Sequence, residues 1–269
     1  MKRRAVRAIV KKDIMAVSGN IQIWLPMLLI PVIFSLILPG VLVIPAHFYD
    51  LRAVGNIEPL LKVFDRLPPG DLREAILSLE TLNQKVIYFI VNYFFAPFFL
   101  LIPLMVARVI GANSFAGEKE RKTMESLLFA PIEIESLFWA KILSAFLPAV
   151  ALSLLCSLLY GTVVNIAAYP LFGEVIFPQR NWLVLIFWVA PALSLGAVFL
   201  NVFISAKVKG FQEAYQLGGL VILPILALLI GQLTGALLLS ASFLWWLGAG
   251  LWLADLILIK KVGSYFNRN

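Results

Sequence analysis

Charged residues, cysteine and histidine are all scarce in this sequence of 269 residues. Charged residues make up 14% of the chain, against about 25% in ordinary soluble domains. Hydrophobic residues make up 61%, and the mean hydropathy is +0.94. A soluble surface needs far more polar cover than this. The composition therefore excludes an ordinary soluble enzyme and predicts an all-α integral membrane protein.

The residues that build metal and catalytic sites are also missing. Cys156 and His47 are each the only residue of their type, so neither an intrachain disulfide nor a His/Cys metal site is expected. An intramembrane hydrolase needs paired aspartates, a Ser/His pair or a zinc motif, whereas the apolar stretches hold almost no acid apart from Asp255. The sequence contains no G-x-x-x-x-G-K-[ST] loop for a triphosphate. Neither a metal site nor a catalytic site is predicted.

Six apolar stretches are long enough to cross a membrane, which takes about 20 residues for a helix. The predicted spans are Ile23–Ala46, Val86–Ile110, Leu137–Ala168, Trp182–Ser205, Ala214–Ile230 and Phe243–Ile259. Residues 231–242 are too apolar for an ordinary exposed loop, and a re-entrant segment is the alternative there.

Two segments outside the spans have helical patterns of their own. Residues 1–22 combine an apolar stripe with many cations, which is typical of an amphipathic helix on a membrane surface. Residues 47–85 contain two apolar stripes and predict a small helical hairpin, with Asp71 as N-cap and Glu74 completing a capping box. We expect this hairpin to rest on the membrane or on the spans, because it is too small for an independent domain.

The distribution of Lys and Arg over the loops predicts the topology. Sixteen of these residues fall on the side of the termini and six on the opposite side. Positive loops stay in the cytoplasm. A multi-pass protein of the cell membrane with both termini in the cytoplasm is therefore predicted, and its extracytoplasmic hairpin is residues 47–85.

The densest charge cluster lies in the loop at 111–136, between spans two and three. Glu118 and Lys122 are spaced as an i,i+4 ion pair on a helix, as are Arg121 and Glu125. An apolar patch follows at 124–128. Such a helix can dock on a soluble partner, and the alternative is a self-paired, solvated loop.

Two motifs resemble a known family. Residues 117–128 read GEKERKTMESLL, followed by Pro131 and by Lys-Ile-Leu at 141–143. This resembles the cytoplasmic signature of type-2 ATP-binding-cassette permeases, G-E-[KR]-E-x-[GK]-T-x-E-x-L-L, although Ala140 stands where glycine is common. Residues 205–218, SAKVKGFQEAYQLG, resemble a stretch of the sodium-efflux branch of that family.

The resemblance implies that residues 1–269 form one permease domain. Such permeases pair with a second copy or a homologue and sit on two cytosolic ATPase subunits, which bind the ATP and Mg. This chain would bind no cofactor and no nucleic acid, and membrane lipid would surround it. Residues 117–128 would be the coupling helix, and the loop at 206–213 a second contact. The implied coupling residues are Gly117, Glu118, Glu120, Arg121, Thr123, Glu125, Leu127, Leu128, Lys207 and Glu213.

Polar residues in the spans are candidates for a substrate pathway, because such groups usually face a bundle interior or a cavity. These residues are Asn92, Asn201, Gln216, Gln232 and Thr234. The alternative is that they make hydrogen bonds between helices. Asp255 lies about one turn from Lys260 and Lys261, and we expect it to form an ion pair that reaches toward the membrane surface.

Three functions remain open at this point. The resemblance favours an exporter permease driven by a separate ATPase, with either sodium or an organic, lipid-like molecule as cargo. The scarcity of acids in the spans mildly favours the organic cargo. A membrane assembly scaffold is one alternative. A self-sufficient secondary transporter is another, although the two halves show no internal repeat of the kind such transporters have.

Overall fold

A computed structural model describes residues 3–50, 61, 63, 64, 67, 70–123, 133–208, 210–233 and 239–266. Within these residues the secondary structure is helical, and no strand occurs. The α-helices are Arg3–Ser18, Ile21–Val32, Leu38–Val43, Asp71–Ser78, Leu82–Phe89, Ala96–Phe99, Leu101–Ala112, Glu118–Glu120, Ile134–Phe172, Arg180–Val184, Ala190–Lys207, Phe211–Gly218, Ile222–Leu233 and Ala241–Phe266. Four π-helical turns lie at Ile33–Ile37, Ile90–Phe94, Asn113–Gly117 and Leu185–Val189, and two 3₁₀ turns at Pro45–His47 and Gly219–Val221.

Six helical stretches are long and apolar enough to cross a membrane. We number them span 1 (Ile23–His47), span 2 (Leu82–Glu120), span 3 (Ile134–Phe172), span 4 (Arg180–Ser205), span 5 (Phe211–Gln232) and span 6 (Ala241–Lys260). The all-α class and the six spans are thereby confirmed, and the chain is a multi-pass membrane protein. Of the predicted re-entrant segment 231–242, residues 234–238 lie outside the described part of the chain, and residues 231–233 continue the helix of span 5.

The helix Arg3–Ser18, called the surface helix below, packs along span 3. Its buried stripe is formed by Ile9, Asp13 and Val17, at intervals of four residues. Its cations at positions 4, 7 and 11 are exposed on the opposite side. A helix with one apolar stripe and one cationic face matches the predicted amphipathic helix. We call the end of the bundle where it lies the basic end.

The described residues of the segment 47–85 lie at the other end of the bundle, which we call the insert end. Leu72 and Ile76 of the helix Asp71–Ser78 are buried in the main hydrophobic core. Phe64 packs edge-on against Phe89 of span 2, with ring centroids 5.5 Å apart. The described part of the insert therefore rests on the spans of its own chain.

The capping of the insert differs from the prediction. Asp71 is the first helical residue rather than the N-cap, and Gly70 precedes it with a φ of 151°. The capping box belongs to the next helix, where the Thr81 side chain accepts from the Gln84 N–H and the Gln84 side chain accepts from the Thr81 N–H. Span 2 therefore begins at Leu82, four residues before its predicted start.

Span 2 lies at the centre of the bundle and packs against spans 3 and 4. Its π-helical turn at Ile90–Phe94 shifts the backbone hydrogen-bond register. Side chains from three other spans donate to the carbonyls of this turn. Tyr160 of span 3 donates to Val91, Asn181 and Trp182 of span 4 donate to Asn92, and Gln232 of span 5 donates to Tyr93. These hydrogen bonds hold spans 3, 4 and 5 in register around span 2.

Candidate functional site

Four charged side chains form an ion cluster where the surface helix meets spans 2 and 3. The two carboxylate oxygens of Glu118 are bound by different lysines, Lys12 from the surface helix and Lys141 from span 3. Asp13 Oδ2 lies 3.9 Å from the Lys141 ammonium, and Asp13 Oδ1 lies 4.0 Å from that of Lys12. The side chains of Glu118, Asp13 and Lys141 are at most 3% exposed, whereas that of Lys12 is 48% exposed.

Two buried serines complete the ion cluster. Ser114 donates its hydroxyl to Asp13, and its carbonyl accepts from Lys141 at 2.6 Å. Ser144 Oγ donates to Asp13 Oδ2 at 3.1 Å. Two carboxylates thus face two ammonium groups, and both serine hydroxyls approach Asp13 Oδ2. Burial of charge is tolerated when each charge is paired and hydrogen-bonded in this way.

The prediction of one helix over residues 117–128 is wrong for the described residues after Glu120. The helix ends at Glu120, and a turn follows at Arg121 and Lys122, where Lys122 has a left-handed φ of 57°. The predicted ion pair between Glu118 and Lys122 is replaced by the pairs of Glu118 within the ion cluster. Residues 124–132 lie outside the described part, and with them Glu125, Leu127 and Leu128.

The two segments that carry the family-like motifs contact each other. Lys119 Nζ donates to the carbonyl of Val208 at 2.8 Å. Glu120 Oε2 accepts from the backbone N–H of Phe211, also at 2.8 Å, and so caps the helix Phe211–Gly218. A methyl group on Gly210 would lie 2.8 Å from the same oxygen, so glycine is what allows this approach. The end of span 2 and the start of span 5 are therefore joined at the basic end.

The predicted coupling residues divide by exposure. Gly117 and Glu118 are buried, and Arg121 folds back over Gly117 to donate to Asn113 Oδ1 at 3.2 Å. We use the name contact face for the exposed charged residues of the two joined segments together with Thr123. These are Lys119, Glu120, Arg121, Lys122, Thr123, Lys207 and Glu213.

Comparison with known families decides what the joined segments belong to. Residues 77–248 match the model of the ABC-2 family transporter proteins, which is more than half of the chain. The chain belongs to the ABC-2 family. No curated protein sequence and no solved structure matches it. Members of this family are membrane components of ABC transporters, and the ATPase activity is not theirs. Both segments of the contact face lie inside the matched residues.

The predicted pathway residues of this ABC-2 protein do not share one environment. Asn92 of span 2 is buried and donates to the Tyr88 carbonyl of its own helix. Gln232 of span 5 is buried and donates to the Tyr93 carbonyl of span 2, which is an interhelical contact. Asn201 of span 4 is buried nearer the basic end, and Gln216 of span 5 is exposed. Thr234 lies outside the described residues.

Sequence reasoning missed a buried cation beside Asn201. Arg108 lies within the predicted span Val86–Ile110 but was only counted with the cations on the side of the termini, and the structure buries it inside span 2 with 4% of its surface exposed. Its Nη2 donates to the Tyr215 carbonyl at 2.6 Å, and its guanidinium carbon lies 4.8 Å from the centre of the Tyr215 ring. Its position inside an apolar stretch is the signal that could have indicated its burial.

The expectation for Asp255 is wrong. The side chain is 2% exposed and points at Gly196 of span 4, where a methyl group would lie 3.0 Å from Oδ1. Its Oδ2 has no hydrogen-bond partner. Lys260 is exposed, and no ion pair joins it to Asp255 in the described structure. The carboxylate thus faces a neighbouring helix rather than the membrane surface.

Proposed function

We propose that the chain is the permease subunit of an ATP-driven exporter in the cell membrane. Residues 1–269 form one permease domain, which pairs with a second copy or a homologue above two cytosolic ATPase subunits that bind the ATP and Mg. The basic end, with both termini, lies in the cytoplasm, as the excess of cations there requires. Membership of the ABC-2 family supports this role.

One observation carries the proposal further than the family does. The two motif segments are far apart in sequence, yet Glu120 and Lys119 join them through hydrogen bonds of 2.8 Å. They present one charged surface at the basic end, as expected of a docking site for a soluble partner. Within it Arg121, Lys122 and Lys207 would contact the ATPase.

The buried members of the motif have a different role in this proposal. Glu118 cannot reach a partner, because its side chain is 3% exposed and both oxygens are bound by lysines. It holds the end of span 2 against the surface helix and span 3. A displacement of the contact face would therefore move the spans instead of bending a loop.

The test is purification of the tagged chain from its native membrane in mild detergent, with assays for a bound P-loop subunit and for ATP hydrolysis. We expect the double reversal Lys122→Glu/Lys207→Glu to release that subunit, because both cations are exposed. Arg180→Glu is the matched control, since it reverses an exposed cation at the opposite end.

Two results would contradict the proposal. Retention of the subunit with full ATP turnover in the double variant would remove the contact face from the interface. Purification of the unaltered chain without any ATPase, in several detergents, would favour the scaffold or the secondary transporter.

A further inference from the structure

Arg108 carries a charge that the described structure does not compensate. No carboxylate lies within ion-pair distance of it there, and its Nε has no hydrogen-bond partner. Its contacts are with Tyr215, through a neutral carbonyl and a ring. A buried cation in a membrane domain without a partner is costly. Its retention inside span 2 is explained if an anion neutralises it at some stage of the transport cycle.

Two further buried polar atoms of span 4 lack partners. Asn201 Oδ1, beside Arg108, accepts no hydrogen bond. Ser205 Oγ, one helical turn further along the same face of span 4, makes none either. A methyl group placed on Gly218 would lie 3.2 Å from both Arg108 Nε and Asn201 Oδ1. Arg108 and Asn201 therefore converge on one point, which the backbone of Gly218 now covers. The cation and the amide oxygen at this point, with the Ser205 hydroxyl one helical turn along span 4, suit an anionic headgroup that also bears a hydroxyl.

The element that covers this point is the first helix of span 5. The helix Phe211–Gly218 tightens into a 3₁₀ turn over Gly219–Val221, and α-helix resumes at Ile222. A 3₁₀ stretch within a helix often marks a functional hinge. Glu120 of the contact face caps the other end of this short helix. Movement of the contact face would therefore pull on the cover of Arg108.

We propose that Arg108 and Asn201, with Ser205 one helical turn along span 4, bind the anionic headgroup of an amphipathic cargo when the helix Phe211–Gly218 moves at the 3₁₀ turn. The inference rests on the proposed function and names its cargo class. A phosphate or carboxylate would take the place of the Tyr215 carbonyl as the acceptor for Arg108. It would form charge-assisted, bidentate hydrogen bonds with the guanidinium. Sodium is disfavoured at this point, because the guanidinium repels a cation.

The test measures binding of radiolabelled dodecyl phosphate to the chain in phosphatidylcholine nanodiscs, in the absence of any ATPase. Dodecyltrimethylammonium and inorganic phosphate are the unlabelled competitors. We expect saturable binding that neither competitor displaces at equal concentration. Arg108→Gln should weaken it about ten- to a hundredfold, the factor expected from the loss of a hydrogen bond to a charged group. Arg180→Gln, which removes an exposed arginine at the insert end, should bind like the unaltered chain.

A second variant keeps the test valid if Arg108→Gln fails to fold. Asn201→Asp changes no side-chain volume and places a carboxylate beside the guanidinium. We expect it to abolish binding of dodecyl phosphate while the melting temperature is unchanged or higher, because Arg108 is then neutralised internally. Unchanged binding in Asn201→Asp would overturn the proposal. Displacement by the ammonium competitor would overturn the charge assignment, and equal binding of inorganic phosphate would overturn the amphipathic cargo.

The inference and the proposed function fail in different ways. Binding in nanodiscs needs no ATPase, so an anion site without a co-purifying ATPase would contradict only the proposed function. A stoichiometric ATPase complex whose chain shows no preference for dodecyl phosphate would contradict only the cargo class.

Discussion

Lys12 and Lys141 bind the same carboxylate, that of Glu118, but from very different surroundings. The Lys141 side chain is 2% exposed and also approaches Asp13 to 3.9 Å. The Lys12 side chain is 48% exposed. If burial, rather than ion pairing as such, determines how much each lysine contributes to the stability of the chain, the two lysine substitutions should lower the melting temperature by different amounts.

The magnitudes follow from what each substitution leaves behind. Lys141→Gln leaves two buried carboxylates with one half-exposed lysine, and breaking a buried pair costs about 3–5 kcal/mol. Lys12→Gln removes a partner that water already reaches, and such pairs contribute about 1 kcal/mol or less. At about 2–4 °C per kcal/mol, Lys141→Gln should lower the melting temperature by at least about 6 °C. Lys12→Gln should lower it by less than about 4 °C.

Differential scanning fluorimetry of the purified chain in nanodiscs measures both shifts. The double variant Lys141→Gln/Glu118→Gln provides the decisive comparison, because it removes both members of the buried pair and leaves no uncompensated charge from it. We expect it to melt above Lys141→Gln. Equal losses for the two lysines, or a double variant less stable than Lys141→Gln, would refute the assignment of the ion cluster as a burial-dependent structural clamp.

The same fluorimetry tests three further features. Tyr160→Phe should destabilise the chain by about 1 kcal/mol, because a π-helical carbonyl of span 2 loses its donor; an unchanged melting temperature would show that another donor replaces it. Gly161→Ala should cost about 1–3 kcal/mol, since the methyl group would lie 2.7 Å from the Phe177 ring. Gly250→Ala, which has open space, is its control and should not destabilise. Asp255→Asn should preserve or raise the melting temperature, because Oδ2 has no partner; a clear fall would reveal a bound cation or proton-dependent contact at the carboxylate.

The spans could be predicted from sequence because the thickness of hydrocarbon sets their length. The predicted end of span 2 at Ile110 was wrong, because the helix continues to Glu120 through polar residues that a hydrophobicity criterion excludes. Serine and glutamate there are buried by partners at positions 12, 13 and 141. Nothing local in the sequence indicates such long-range pairing, so a hydropathy criterion ends the span too early.

Asp13 and Arg108 show which part of the site was within reach of the sequence. Asp13 falls four residues from both Ile9 and Val17, on the apolar stripe of the surface helix. An acid in that position predicts a buried partner, although it does not say which one. Arg108 falls within the predicted span Val86–Ile110, but a count of charges by side does not separate a buried cation from an exposed one. The motif at 117–128 likewise indicated a partner contact, but it could not separate the buried Glu118 from the exposed Glu120.

The unequal strength of the two attachments of the contact face determines how a force on it would spread. On one side Glu118 is bound by two lysines of the ion cluster, which also contains the buried Asp13. On the other side Glu120 accepts a hydrogen bond in an exposed position from the backbone N–H of Phe211, at the start of a helix that passes into a 3₁₀ turn after eight residues. Hydrogen bonds to buried charges are the stronger kind. A displacement of the turn at Arg121 and Lys122 should therefore leave the ion cluster intact and shift the short helix first. The element that moves first is then the helix Phe211–Gly218, which covers Arg108.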